Sequence, residues 1–270
     1  MNVILLDYYP LLRLSCFFGI FFFMALWEVA LPRRALQTSK RSRWFANLSL
    51  TFLNTMISRF AFPIPAVALA LLAEERGWGL FNHLHLPFIA TGLISIIFLD
   101  LIIYLQHLVF HRTRIFWYIH RMHHTDLDID VTTGTRFHPI EIILSLLIKM
   151  AAVLLFGIPA WSFVIFEVLL NATSVFNHGN IGMDTQVDRF LRIVVVTPDM
   201  HRVHHSILTG EHNSNYGFNL SLWDRLFGTY TAQPQKGHED MIIGLANFRD
   251  PKALSLPRLL LLPFDILKKL

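Results

Sequence analysis

The stretch that decides the fold is LPFIATGLISIIFLDLIIYLQ, residues 86–106, which runs without a break into HLVFHRTRIFWYIHRMHH, residues 107–124. The first part is apolar and long enough to cross a bilayer, which needs about 20 residues. The second part contains five histidines. A membrane span that leads directly into a histidine-rich segment indicates a metal-binding region at one face of the membrane.

The composition of the whole chain also indicates a membrane protein. Of its 270 residues, 54% are hydrophobic and 16% are charged, and the mean hydropathy is +0.48. These values are too apolar for an ordinary soluble domain. The net charge of +4 is not gathered into a basic stripe with interleaved aromatics, so nucleic acid is not expected as a partner. The single cysteine, Cys16, excludes an intrachain disulfide.

Four further apolar segments predict an all-α integral membrane helical bundle. Pro63 and Pro65 interrupt the second of them, which is therefore expected to be a kinked span or two shorter helices. Gly157, Ile158 and Pro159 separate the last two and predict a tight helical hairpin. No small-x-small cleavage site follows the first segment, so we expect it to be retained. The four segments cover residues 11–32, 46–73, 140–157 and 160–176.

The charges of the loops predict an orientation. Five basic residues lie between the first and second segments, whereas the next loop has only Arg76, with Glu74 and Glu75 beside it. The positive-inside rule places the first loop in the cytoplasm. The span at 86–106 then returns to the cytoplasm just before His107. The sequence therefore predicts a helical bundle with a cytoplasmic histidine-rich metal-binding cap.

The histidines recur at helical spacing. The first pair is four residues apart, and HRMHH at 120–124 returns as HRVHH at 201–205. Residues three and four apart lie on one helix face, so each motif is expected to direct its imidazoles at a single point. Eight imidazoles exceed the needs of one tetrahedral ion. We predict two metal ions, iron for a redox role, held by His107, His111, His120, His123, His124, His201, His204 and His205.

Two other histidines are candidates for the same centre. His178 lies at the predicted cytoplasmic end of the fifth segment and is expected to be a ninth ligand. His138 precedes Pro139 at a predicted helix start, and it is either a tenth ligand or neighbour of one, or a purely structural residue. Thr197 and Pro198 predict the start of the helix that carries HRVHH. The remaining histidines are expected at the membrane interface or the protein surface: His83, His85, His212 and His238.

Carboxylates near these motifs suggest further roles. Asp100 and Tyr104 precede His107 by seven and three residues, so they share its helix face. Asp100 could orient a ligand imidazole from behind, or it could hydrogen-bond to a neighbouring span. The aspartates at 126, 128 and 130 resemble a calcium loop, but the required glycine and glutamate are missing, and we predict no calcium there.

Several motifs are absent from the sequence. There is no HExxH, GxSxG, GxGxxG or P-loop, so the chain shows no fingerprint of a zincin protease or of a flavin, nicotinamide or nucleotide site. Electrons for any oxygen chemistry must therefore come from a separate protein or a small reductant.

HLVFH, HRMHH and HRVHH, in that order across membrane spans, resemble the fatty acid hydroxylase or sterol desaturase superfamily. The resemblance covers about residues 95–230 and includes NSNYGFNLSLWDRLFGTY, residues 213–230, whose Trp223, Asp224, Gly228 and Thr229 match a WDxLFGT-like family ending. It implies three parts: an N-terminal transmembrane region over 1–90, a catalytic domain over 91–232, and a tail over 233–270 that is expected at the membrane surface.

This resemblance implies a membrane-bound non-haem di-iron enzyme. It would hydroxylate or desaturate a membrane lipid with O2 and an external electron donor, with the histidines named above as ligands and zinc as a possible substitute. Some acyl hydroxylases of the family have a further HxxxH before the last motif. Here Ser174 stands four residues before His178, so only half of that motif is present.

The same residues are also compatible with two functions other than an oxygenase. A zinc-dependent membrane hydrolase or isomerase acting on a lipid would need an acid–base carboxylate near the metals, such as Glu141 or Asp199. A metal transporter would place its histidines along a transmembrane path, whereas these cluster at one end. The neighbouring aromatic residues either line a lipid entry path or form an interfacial belt: Phe110, Phe116, Trp117 and Tyr118.

Overall fold

A computed structural model describes residues 2–62, 64–84, 86–251 and 255–268. Within these ranges the chain is all-helical, as predicted, with no strand and only isolated bridges such as Pro32 with Ile181. His85, expected at the interface, lies outside the described residues. The long helices are α1 (Asn2–Ala30), α2 (Lys40–Ala61), α3 (Ala66–Arg76), α5 (Phe88–Arg112), α6 (Arg114–His124), α7 (Pro139–Phe156) and α8 (Ala160–Asn177).

Shorter helices build the rest of the molecule. They are α4 (Leu80–His83), α9 (Thr185–Leu191), α10 (Pro198–His204), α11 (Thr209–His212), α12 (Leu222–Leu226), α13 (Gly237–Asp240) and α14 (Leu256–Leu261). Two 3-10 turns are also present, at Thr133–Thr135 and Leu262–Lys268. Most of these short elements follow α8, in the part of the chain where hydropathy predicted no span.

Among the residues that the structure describes, five stretches are long and apolar enough to cross a membrane: Tyr8–Ala30, Lys40–His83, Phe88–Arg112, Pro139–Phe156 and Ala160–Asn177. The second stretch is divided into α2 and α3, with Pro65 as the residue that begins α3. The predicted alternative of two shorter helices is therefore the correct one. Gly157 ends α7 in the left-handed conformation, with φ of 67°, and Pro159 directly precedes α8, so the predicted short connection is present. The two helices pack mainly on other helices rather than on each other.

Helix α8 lies at the centre of the bundle and packs against α1, α3 and α5. The apolar core between these helices includes Leu99 and Ile103 of α5 and Phe163 and Phe166 of α8, all of them buried. Helix α7 contacts α2, α3 and α5. This packing fixes the end of α5, and with it the histidines that follow.

The loop between α6 and α7 is buried and is held by α2. Arg43 of α2 donates to Asp126 (2.6 Å) and to Asp130 (2.7 Å), and Thr38 donates its hydroxyl to Asp128 (2.6 Å). The three aspartates that resemble a calcium loop are thus engaged by protein donors.

The C-terminal tail packs against the protein in the range that the structure describes. Leu259 and Leu262 are buried against Leu50 of α2 and Met122 of α6. These apolar side chains of the tail, which was expected at the membrane surface, therefore cover α2 and α6.

Candidate metal centre

Three elements bring the histidine motifs together. His107 and His111 occupy the last turns of α5, and the chain turns at Thr113 into α6, which ends with HRMHH. Helix α10 begins as predicted, with the Thr197 hydroxyl accepting from the amide of Met200 and Pro198 in the first turn. This helix ends at His204, so the last histidine of HRVHH is the residue that caps it.

The nine histidines form two groups, and within each group the available ligand nitrogens lie within 4.8 Å of one another. Sequence reasoning predicted these nine residues and two ions, but it did not predict how the residues divide. The first group consists of His107, His111, His120, His124 and His204. The second group consists of His123, His178, His201 and His205.

Each HxxHH motif is split between the groups, contrary to the expectation that it aims at one point. His120 and His124 belong to the first group and His123 to the second, whereas His201 and His205 belong to the second and His204 to the first. The reason is helical geometry. At about 100° per residue, positions i and i+4 differ by about 40°, and position i+3 is rotated about 60° the other way.

Hydrogen bonds fix the tautomer of several rings. In the first group, Nδ1–H of His107 donates to the carbonyl of Tyr216 (2.8 Å) and Nδ1–H of His204 to the carbonyl of Ser214 (2.7 Å). His120 donates from Nδ1 to the Glu141 carboxylate (2.7 Å). Because Nδ1 carries the proton, Nε2 of each neutral ring presents a lone pair.

The second group follows the same rule. Nδ1–H of His178 donates to the carbonyl of Ser174 (2.7 Å), and Nδ1–H of His123 donates to the carbonyl of Arg136 (3.2 Å). The serine that replaces the first histidine of the family's additional HxxxH motif therefore contributes its backbone oxygen. Gly134 packs closely against the same Ser174 carbonyl, and a side chain would not fit there, since a Cβ at residue 134 would lie 2.4 Å from the Ser174 oxygen.

The lone pairs point at one another. Nε2 of His107 lies 3.2 Å from Nε2 of His120, and Nε2 of His123 lies 3.1 Å from Nε2 of His178. Two unprotonated nitrogens cannot hydrogen-bond to each other, and a cation bound by both lone pairs would remove the repulsion between them. Nε2 of His204 and of His205 is also buried without a hydrogen-bond partner. The residues present therefore fit two metal ions with imidazole ligands.

Burial keeps these rings neutral. Removal from water, reinforced by the neighbouring imidazoles, holds the pKa well below its usual range for His123, His124, His201, His204 and His205. Burial likewise lowers the pKa of His178 to about 4. A neutral imidazole is the form that binds a metal, so the histidines are poised as ligands near neutral pH.

Asp100 lies elsewhere than the sequence suggested. Its carboxylate accepts from the amides of Asn219 (3.2 Å) and Leu220 (3.1 Å) and from Nε1 of Trp223 (2.8 Å). Seven residues along a helix is about 10 Å, too far to reach the ring of His107. Asp100 instead braces the segment after α11, which carries the carbonyl of Tyr216.

Three other histidines also have defined places. The ring of His138 caps α7, with Nδ1 accepting from the amide of Ile140 (3.1 Å) and Nε2 donating to the carbonyl of Leu260 (3.2 Å), so neither nitrogen is free and it joins neither group. His238 is buried and donates to Gln233 (2.9 Å), which contradicts its expected surface position. His212 is half-buried, with its ring 6.3 Å from that of His111.

Some partners of the site were missed in the sequence. Backbone carbonyls, such as those of Tyr216 and Ser214, leave no side-chain signal. The sequence suggested Glu141 only as a possible acid–base group. Its position as a carboxylate at the head of an apolar helix was the available signal, because a charge there needs a partner.

An apolar groove of about 290 Å³ lies between α5 and α7 and reaches the start of α6. Its lining residues are Ile102, Leu105, Gln106, Val109, Phe110, Phe116, Leu144 and Ile148. Phe110 stacks on Phe116 with ring centroids 5.2 Å apart, and its ring lies 6.0 Å from that of His120. Of the four aromatic residues considered for a lipid path, these two line the groove.

The other two aromatic residues point elsewhere. The ring of Trp117 lies 4.9 Å from that of His111 and stacks on His212. Tyr118 is buried under the guanidinium of Arg121, at 3.9 Å.

Fold and site together define a helical membrane protein with two histidine groups at one end of its spans. The model of the fatty acid hydroxylase family matches residues 92–229, which is half of the chain. The chain belongs to the fatty acid hydroxylase family, as its histidine motifs indicated.

Similar proteins support this assignment. The ornithine lipid hydroxylase OlsE of Rhizobium tropici is 26% identical over 226 residues, which cover 81% of this chain and 66% of that protein. Human alkylglycerol monooxygenase is 30% identical over 139 residues, 49% of this chain and 29% of that protein. The Delta(7)-sterol 5(6)-desaturase of Eremothecium gossypii is 30% identical over 139 residues, covering 52% and 37%.

The chain thus spans about two thirds of the length of the first relative and about a third of the other two. These relatives are named as oxidoreductases of lipids, and the prediction of an oxidoreductase is confirmed at the level of the family. No solved structure matches the chain.

Proposed function

We propose that this chain is a membrane-bound oxygenase that hydroxylates or desaturates a C–H bond of a membrane lipid. The observation that carries the proposal is the pair of buried imidazole groups whose lone pairs converge at the end of the membrane helices. Two iron ions bound there would supply the activation of O2, a redox chemistry that zinc cannot perform. Hydroxylation balances as R–H + O2 + 2e⁻ + 2H⁺ → R–OH + H2O.

The groove between α5 and α7 supports a lipid as the substrate. Its lining is apolar apart from Gln106, and it lies in two helices long enough to span the bilayer. An acyl chain could therefore enter from the membrane without crossing water. Phe110 lines the groove, and its ring lies 6.0 Å from that of His120, so a lipid in the groove would bring a C–H bond close to the first group.

The basic loop before α2 supports a cytoplasmic position for the histidine groups. That position would allow the electron donor to approach from the cytoplasm while the substrate remains in the bilayer. The donor is expected to be a separate protein or a small reductant, because the sequence has no flavin or nicotinamide fingerprint.

The competing function, a zinc-dependent lipid hydrolase or isomerase, finds less support in the geometry. Asp199 is bound to Arg202 and lies 3.2 Å from Nε of Arg33. Glu141 faces Nδ1 of His120, on the side of the ring opposite the lone pair that points into the group. Neither carboxylate named for acid–base catalysis therefore lies on the metal side of its neighbours.

Metal content and oxygen incorporation test the proposal. We expect wild-type protein purified in detergent to bind two iron ions per chain, and His204→Ala to lose metal because it removes a ligand of the first group. His83→Ala is the matched control, since His83 is exposed. In cells grown under ¹⁸O2, lipids should gain the label by hydroxylation, or an oxygen-dependent double bond by desaturation, with the wild type and the control only. Zinc that resists anaerobic exchange for ferrous iron, with neither change in the lipids, would favour the hydrolase.

A further inference from the structure

Two aromatic rings connect the protein surface with the first histidine group. The ring of Trp117 lies 4.9 Å from that of His111 and 5.5 Å from that of His124, both ligand candidates of the first group. On its other side Trp117 stacks on His212, with centroids 5.6 Å apart and planes 6° from parallel. Trp117 and His212 are partly exposed, whereas His111 and His124 are buried. The rings in contact therefore form a short path from solvent to the first histidine group.

Two arginines flank this stack. Arg112 ends α5 and Arg114 begins α6, and both are exposed in the turn that leads to Trp117. In the part of the chain that the structure describes, no carboxylate lies within 4 Å of either guanidinium. Their charge is therefore available to a partner.

We propose that the surface formed by Arg112, Arg114, Trp117 and His212, here the Trp117 face, docks an acidic one-electron carrier protein and passes its electrons to the first histidine group. The inference rests on the proposed function, because a reducible metal must be present. Unpaired positive charges beside partly exposed rings favour a negatively charged partner, which they would steer and orient. A neutral small reductant would gain nothing from them.

The electron count requires two encounters. Each carrier gives up one electron, so two reduced carriers convert two ferric ions to two ferrous ions, and no covalent bond forms or breaks. The electrons would pass from the carrier to the rings of Trp117 or His212 and then to His111 or His124. Phe116 lines the groove, whereas the next residue, Trp117, contacts His111 and His212, so substrate and carrier would not compete for space.

Docking can be measured without turnover. The probe is oxidised plant-type ferredoxin, an acidic carrier, and its affinity is measured for the protein in nanodiscs of phosphatidylcholine at low and high ionic strength. We expect the wild-type affinity to weaken with salt, and the affinity of Arg112→Glu/Arg114→Glu to be at least about tenfold lower at low salt. Arg76→Glu is the control for charge reversal. Arg76 is exposed at the end of α3, whereas Arg112 lies at the far end of α5, a helix about 37 Å long.

Equal affinity of the double variant and the wild type would overturn the proposal and indicate that the arginines bind lipid phosphates instead. An equal loss of affinity in Arg76→Glu would also overturn it, because the effect would then be one of net charge.

Electron delivery is measured separately with iron-loaded ferric protein under anaerobic conditions. Reoxidation of reduced ferredoxin, followed by its visible absorbance, should be several-fold slower in Trp117→Leu at saturating carrier, where any change of ferredoxin affinity no longer affects the rate. Trp117→Phe keeps a ring and should restore part of the rate. Trp78→Leu, at an exposed position before α5, is the control. Iron content is measured for each variant.

Dithionite with a small mediator separates the possible failures. It should reduce all variants equally, because it does not depend on docking. If Trp117→Leu accepts electrons from ferredoxin at the wild-type rate, or if dithionite reduction slows as much as ferredoxin reduction, the route through Trp117 is wrong. If the wild-type protein has no metal that dithionite reduces, the proposed function itself fails, and this inference with it.

Discussion

The positions of single protons organise the histidine groups. Wherever Nδ1 faces an oxygen of the protein, the ring is held in one orientation and Nε2 keeps the lone pair that a metal ion would bind. Four of these oxygens are backbone carbonyls, on Tyr216, Ser214, Arg136 and Ser174. The acceptor of His120 differs, because it is the carboxylate of Glu141. A charged acceptor makes the ring a stronger donor to a metal ion.

Glu141→Gln tests this role with little change of shape. The amide can still accept from Nδ1 of His120 but carries no charge, so we expect the metal affinity of the first group to fall by about 10- to 100-fold. The measurement is competition with a chelator, in which metal loss is followed per chain. Glu75→Gln, at an exposed position, should bind metal as the wild type does. If Glu141→Gln retains its metal equally well, Glu141 only fills space beside His120.

At this scale the sequence predicted which histidines meet but not how they meet. Spacing of three and four residues showed that His120, His123 and His124 lie near one helix face. It did not show that a rotation of about 60° would place His123 in the other histidine group. Asp100 was misjudged for a related reason, since a shared helix face says nothing about distance along the axis.

Among the helices, a charge cluster centred on a buried carboxylate links three spans. Lys149 of α7 binds Glu167 of α8, and Arg13 of α1 lies 3.8 Å from the same carboxylate. All three charges lie in segments apolar enough to span a membrane. Ionised groups at such positions are costly unless they are paired, so this cluster specifies which helices pack together.

A double-mutant cycle measures the link. Glu167→Leu should destabilise the protein by about 3–5 kcal/mol, because it leaves Lys149 buried without its partner. Lys149→Met should have a similar effect, and the double variant should lose much less than the sum of the two. The measurement is the loss of folded protein with temperature in detergent. Losses that simply add would show that the two side chains do not stabilise each other.

The helices themselves were largely predictable. Four of the five spans were predicted at the correct place in the sequence, because each is a nearly continuous apolar run. Some of the helices extend beyond the predicted ends. α2 began earlier than predicted, at Lys40, since its first turns are polar. Hydropathy does not assign a charged residue such as Arg43 to a span, and the partners of Arg43 lie in a loop more than 80 positions away. The short helices after α8 were not predicted, because each is too short to show a helical periodicity of apolar residues.

The molecule as a whole buries many histidines that must remain uncharged. Burial lowers the pKa to about 4 for His178 and for His238, compared with about 6.5 in an unfolded chain. Between these values the unfolded state binds more protons than the folded state. Stability is therefore fully present above pH 6.5 and is lost as the pH falls toward 4.

We expect metal-free protein to have a lower apparent melting temperature at pH 5 than at pH 7. His238→Gln removes one contributor outside both histidine groups and should make the pH dependence less steep. Metal-loaded protein should also release its ions over the acidic part of this range, since protons compete for the same nitrogens. The measurement is thermal unfolding across a pH series at constant ionic strength. A melting temperature that does not change between pH 7 and pH 5 would contradict the prediction.

The division of the histidine groups has a consequence for the order of events during synthesis. Each group combines residues from α5, α6 or α8 with residues of HRVHH. The ribosome must therefore make all five membrane segments and then α10 before either group is complete. Until His201, His204 and His205 emerge, the earlier imidazoles form only partial sites with low affinity. If the two groups hold metal as proposed, loading would be a late step of biogenesis, and any product truncated before residue 201 would reach the membrane without it.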